Sequence, residues 1–114
     1  MRGNIEEGTR IMGAILVGQN KLTIDRRVLT ADNLVLDADS PHLISLDPGG
    51  AGRDILLPPE APGLFFFIMN WADAAETLTV KDDSDTTTIG AVAQGKMGIF
   101  VCDGTNWAGV VQGT

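Results

Sequence analysis

The chain is short of the residues that most often carry chemistry. It has one cysteine, Cys102, one histidine, His42, and no tyrosine, and aromatic residues make up 5% of its 114 positions. A single cysteine excludes an internal disulfide framework. A single histidine excludes a zinc centre built on several imidazoles. Basic charge is also scarce: 8 Lys and Arg stand against 15 Asp and Glu, for a net charge of −7. That argues against nucleic acid as a partner, because phosphate contacts need clustered cations. No apolar run approaches the roughly 20 residues of a membrane-spanning helix. The longest, Gly63 to Met69, has the length of a buried strand. No membrane partner is expected. The N-terminus does not read as a signal peptide, since Glu6 and Glu7 interrupt its basic start and no small-residue cleavage site follows Val17. A cytosolic product is expected.

What is present points to β structure. Hydrophobic residues make up 44% of the chain, enough for one core. The 14 glycines and 5 prolines fall mostly between short apolar runs. Candidate strands are Ala14–Val17, Leu22–Ile24, Asn33–Leu36, His42–Leu46, Arg53–Leu57, Leu64–Asn70, Thr77–Lys81, Thr87–Ile89, Lys96–Cys102 and Trp107–Val111. Strands at such spacing, with turn signals between them, predict an all-β sandwich or barrel. Asp47-Pro48-Gly49-Gly50 and Pro58-Pro59 end strands, and Asp103-Gly104 predicts a hairpin between the last two. Alternation in Thr77–Lys81 puts Leu78 and Val80 on one face. The expected core holds Phe65, Phe67, Leu78, Val80, Ile99 and Val101. The run Leu64–Met69 is apolar on both faces, so it is expected either to sit centrally or to meet another chain with one face.

Charge divides the chain. Residues 1–30 carry five bases and three acids, or +2, while residues 31–114 carry three bases and twelve acids, or −9. Residues 1–30 are therefore read as an extended or irregular N-terminal arm, and residues 31–114 as the body.

The residues that could do chemistry do not form a convincing site. A Cys102–His42 nucleophile pair is conceivable, but a lone cysteine at the end of an apolar strand is more often a small core residue. The acidic run Asp82-Asp83-Ser84-Asp85 has alternating carboxylates, yet lacks the central Gly and terminal Glu of a helix–loop–helix calcium loop, so it reads as a solvated turn. Trp71 and Trp107 are expected to pack on a core edge with the indole N–H on a carbonyl, or else to anchor an interface. No catalytic, cofactor or metal site is expected, and the protein is read as a non-enzyme.

Four segments carry a resemblance. Arg53-Asp54-Ile55-Leu56-Leu57-Pro58, Gly63-Leu64-Phe65-Phe66-Phe67-Ile68-Met69-Asn70, Leu78-Thr79-Val80-Lys81-Asp82 and Val101-Cys102-Asp103-Gly104-Thr105-Asn106-Trp107 lie within residues 40–110. Together they resemble small β-proteins of tailed bacteriophage particles, in particular head decoration (cement) proteins. The same pattern recurs in tail-fibre and other virion modules. The resemblance implies an antiparallel β-sandwich, jelly-roll-like, as a single domain behind the N-terminal arm. It implies a homotrimer on the exterior of the capsid that binds the major capsid protein and stabilises the shell. The shell-contacting residues expected on the arm are Arg2, Arg10, Ile11, Arg26 and Arg27. The trimer contact is expected at Leu64, Phe66 and Ile68. A fibre or receptor-binding module would instead present Asp82–Asp85 and Trp107 outward. A ligand-binding sandwich would need a closed pocket with convergent polar groups.

Overall fold

The structure, a computed structural model, describes residues 22–113. Nine strands follow in chain order: β1 (Ile24–Val28), β2 (Asn33–Val35), β3 (Leu43–Asp47), β4 (Arg53–Leu56), β5 (Pro62–Asn70), β6 (Leu78–Lys81), β7 (Thr88–Val92), β8 (Met97–Asp103) and β9 (Trp107–Val111). No helix occurs among the described residues, so the all-β expectation holds. The candidate strand Ala14–Val17 lies outside the described residues.

The strands form two sheets, one ordered β1-β3-β5-β8-β9 and the other β2-β4-β6-β7. Their pairing corrects the expected antiparallel arrangement: both sheets are mixed. From β1 to β6 the chain alternates between sheets, so β1, β3 and β5 pair in parallel, as do β2, β4 and β6. Antiparallel pairing appears only with β5/β8, β6/β7 and β8/β9. The reason lies in the turns. Asp47-Pro48-Gly49-Gly50 and Pro58-Pro59 do not close hairpins; they carry the chain from one sheet to the other. A strand that leaves its sheet and returns after a crossover comes back parallel. Asp103-Gly104 does close a hairpin, the β8/β9 pair in which Cys102 faces Trp107.

The first turn shows how local chemistry fixes this path. Gly49 has φ +79°, and a Cβ there would collide with the Leu29 carbonyl oxygen, so only glycine fits. Arg53 ties the same corner together. Its Nε donates to the Pro48 carbonyl at 2.8 Å and its Nη1 to Asp32 Oδ1 at 3.1 Å.

Residues 24–28, expected in an irregular arm, form the edge strand β1, in register with β3 from Ile24↔Leu43 to Val28↔Asp47. On the core side of β1 stand Asp25 and Arg27, joined by an ion pair of 2.7 Å. Inward-pointing charge on an edge strand discourages further strand addition there.

The inner faces of both sheets share one core. Ile44, Leu46, Phe66, Ile68 and Phe100 come from the five-stranded sheet; Ile55, Leu78, Val80 and Val92 come from the other, and all are at most 1% exposed. Leu78 and Val80 lie where alternation placed them. Phe100 fits because its partners are small: a Cβ on Gly109 would come within 2.6 Å of its ring, and one on Gly98 within 2.8 Å. Asn70, 2% exposed, is a buried polar residue with every side-chain bond accounted for. Its Nδ2 donates to the carbonyls of Glu76 at 2.8 Å and Val92 at 2.9 Å, and its Oδ1 accepts the Ala72 N–H at 2.9 Å.

Candidate interaction surface

The face of the five-stranded sheet that points away from the core carries one apolar row across its whole width, while the row through Met69 and Met97 turns polar at Ser45 and Arg26. Register places Ile24 beside Leu43, Leu43 beside Phe67, Phe67 beside Ile99 and Ile99 beside Val110. One uninterrupted row of large apolar side chains therefore crosses all five strands. A second row runs from Phe65 through Val101 to Ala108, and Met69 pairs with Met97 on the other side. Exposure reaches 42% at Ile99, 47% at Val101 and 74% at Val110. Acidic residues stand only at the margin: Asp47 and Asp103 each end their strand, and because β3 and β8 run in opposite directions they lie at opposite edges of the face. The largest apolar patch on a protein surface is often a functional one.

The residues expected at a trimer contact do not lie on this face. Phe66 is 1% exposed and Ile68 is 0% exposed, so both belong to the chain's own core, and Leu64 packs partly buried against it. Phe65, Phe67, Ile99 and Val101, expected in the core, stand on the opposite face. The assignment of faces along β5 and β8 is inverted by one residue, which moves every side chain to the other side. Cys102 carried the missing signal. A buried Cys102 requires Phe100 and Gly98 to face inward, and hence Ile99 and Val101 to face outward.

Of the expected shell contacts, Arg2, Arg10 and Ile11 lie outside the described residues. Arg26 and Arg27 sit on β1 and face opposite ways. Arg27 is held by Asp25, while the Arg26 guanidinium lies 4.2 Å from the centre of the Trp71 ring, a cation–π contact at the corner of the apolar face. Trp107, 8% exposed, packs on the core, and its Nε1 donates to the Pro58 carbonyl at 3.0 Å, so it is not an outward-facing anchor.

The conceivable nucleophile pair does not form. Cys102 is buried on the inner face, 5% exposed. His42 stacks on outward-facing Phe65 with ring centres 3.9 Å apart, and its Nδ1 donates to the Phe65 carbonyl at 2.8 Å. The sheet lies between them.

The acidic loop is committed to its own turn. Asp82 Oδ1 accepts the N–H of Thr86 at 3.0 Å and of Thr87 at 3.2 Å, and Oδ2 accepts the Ser84 hydroxyl at 2.9 Å. The Thr86 N–H, with these others, holds the Asp82 carboxyl below its ordinary pKa. Lys81 bridges Asp54 and Asp85, each at 3.2 Å, and the Asp85 bond first, then that to Asp54, raises the pKa of its amine. Asp103 caps the last hairpin by accepting the N–H of Thr105 and Asn106, both at 2.8 Å, and Asn106 leads in holding its pKa low. Among the described residues one carboxylate trio, Asp47, Asp73 and Glu76, brings its oxygens within 4.8 Å of one another. Asp47 already accepts the Gly49 N–H at 2.9 Å.

No protein-family model, curated protein or solved structure matches this chain.

Proposed function

We propose that this chain is a non-enzymatic structural protein of a virus particle: a decoration (cement) protein that sits on the capsid exterior as a homotrimer, binds the major capsid protein and stabilises the shell. The observation that carries the reading is the apolar outer face from Ile24 to Val110 on a chain of net charge −7. In this reading the face serves as a seam, and the acidic remainder protects a protein held at high local density against precipitation. The segments resembling phage decoration proteins support the choice of particle. In this reading the two facing sheets are a β-sandwich of jelly-roll type, and the mildly basic N-terminal residues, with Arg2, Arg10 and Ile11, reach onto the shell. Trimer and shell each bury surface that a small domain cannot bury alone, and binding of the folded form raises its stability.

A second reading, a tail-fibre module, is favoured by one feature. The parallel ladders β1-β3-β5 and β2-β4-β6 stack successive passes of the chain in one direction, a geometry suited to lengthwise extension.

Copy number separates the two. Quantitative mass spectrometry of purified particles, against the major capsid protein, is expected to show comparable amounts of both chains. A count lower by orders of magnitude supports the fibre, and absence from particles overturns both.

A further inference from the structure

We propose that the segment Ala14–Val17 of this same chain, outside the described residues, docks in parallel on the open edge of β2 and extends the four-stranded sheet by one strand. The inference goes beyond the reading above, and the docking itself does not depend on it.

The spacing of the strands selects the segment. From β1 to β5 each strand lies in the sheet opposite to the one before it, and the strands begin at residues 24, 33, 43, 53 and 62, nine or ten residues apart. The same step taken backwards from Ile24 begins a strand at residue 14 or 15, and the alternation puts it in the sheet of β2, outside β2. The sequence there is Ala14-Ile15-Leu16-Val17, then Gly18-Gln19-Asn20-Lys21: an apolar run followed by a polar link. Six residues separate Val17 from Ile24, against four to seven in the crossovers from β1 to β5. Six residues reach about 20 Å, and packed sheets lie about 10 Å apart, so the link spans from one sheet to the other.

The edge offers what such a strand needs. The Asp54 N–H donates to the Asp32 carbonyl and the Leu36 N–H to the Leu56 carbonyl, both at 2.9 Å, so the even-numbered residues here turn their main-chain groups to β4. Successive residues of a strand turn these groups to opposite sides, so Asn33 and Val35 present theirs to the open edge, where no strand stands among the described residues. Unlike β1, β2 carries no charge and no proline, the usual guards of a free edge. The offset that pairs Ile24 with Leu43 sets Ala14 beside Asn33, Ile15 beside Leu34, Leu16 beside Val35 and Val17 beside Leu36. Ile15 and Val17 then continue the inward row of Leu34 and Leu36, and Leu16 covers Val35, which is 67% exposed. A second copy offers the same segment, but the short link gives the chain's own segment the higher effective concentration. Docked in this way, residues 1–13 leave the body from the four-stranded sheet. In the reading above, Arg2, Arg10 and Ile11 then reach the shell from the sheet opposite to the apolar outer face, so the two contacts do not compete.

The test is disulfide trapping in the full chain. Neighbouring residues on paired strands bring their Cα atoms into the range a disulfide spans, about 4.4–6.8 Å. Leu16→Cys with Val35→Cys joins the proposed neighbours. Leu16→Cys with Val110→Cys asks instead whether the segment lies on the apolar outer face, where Val110 is 74% exposed; the native Cys102 is buried. Mass spectrometry after mild oxidation counts the free thiols, and near-UV circular dichroism of buried Trp107 checks that each variant is folded. The expected result is a bond between positions 16 and 35 within a single chain of 12.0 kDa, formed faster than the 16–110 bond by about tenfold or more. A 16–35 pair that stays open, or closes no faster than the 16–110 pair, overturns the proposal. A bond found only between two chains overturns the chain's own segment as the occupant. Should the Leu16→Cys, Val35→Cys variant lose the Trp107 signal, hydrogen exchange decides: slow exchange at the Val35 amide of the unmodified chain, lost in Ile15→Asp, supports the docking, and any other pattern overturns it.

Discussion

The side-chain amide of Asn70, at the end of β5, donates to the main-chain carbonyl of Val92, at the end of β7 in the other sheet, at 2.9 Å. The same amide holds the Glu76 carbonyl and accepts from Ala72, so one side chain ties both sheets to the loop between β5 and β6. Asn70→Ala leaves two carbonyls and one N–H unpaired in the interior. The expected loss is about 2–4 kcal/mol of unfolding free energy in a denaturant titration. Asn70→Asp is expected to be at least as harmful, because it replaces a donor by a buried charge facing two carbonyls.

The Phe100 ring lies against Gly98 and Gly109. Gly109→Ala is expected to lower stability by about 1–3 kcal/mol through overpacking. Because the clash is with the ring, Gly109→Ala combined with Phe100→Leu should lose less than the two single changes summed. A thermal-melting double-mutant cycle measures that coupling.

Acid should weaken the protein at two turns. The carboxyls of Asp82 and Asp103 are held below their ordinary pKa by main-chain N–H groups, led by Thr86 and Asn106. Their stabilisation is in force above the unfolded carboxylate pKa of about 4 and is lost as pH falls through the lower folded values. Lys81 acts in the opposite sense: its pKa is raised, so its contribution is complete below its ordinary value and is lost only as pH climbs through the raised one. Melting temperature should therefore fall below about pH 4, and Asp103→Ala should flatten that fall while lowering stability at neutral pH.

Salt should favour the proposed homotrimer. Each copy carries −7, so assembly through the apolar outer face would work against charge repulsion. Raising ionic strength from about 0.01 M to about 0.15 M shortens the screening length from about 30 Å to about 8 Å. Sedimentation at the two salt levels should show tighter association at the higher one; the reverse would mean that charge pairs form the seam.

Much of the strand content could be read from the sequence, because short apolar runs between Gly, Pro and Asp turns leave few other options. Trp107–Val111 has the bounds read from the sequence, and the Asp103-Gly104 hairpin and the inward Leu78 and Val80 are where local chemistry put them. Two things were not local. Parallel pairing depends on strands far apart in the chain, such as Leu43 with Phe67, and no turn residue announces it. The facing of β5 and β8 is ambiguous in itself, since every residue from Leu64 to Met69 is apolar. Only Cys102, paired with core-packed Trp107, fixes the parity of β8 and through it that of β5.

The most direct test of the proposed role is to add the purified full chain to particles that lack it and to measure both its binding and the temperature at which the shells release their contents. The account predicts saturable binding at a fixed ratio to the major capsid protein and a release temperature raised by several degrees, an effect lost with Val110→Glu. Saturated particles that open at the same temperature as bare ones, or particles that bind none of the chain, would contradict it.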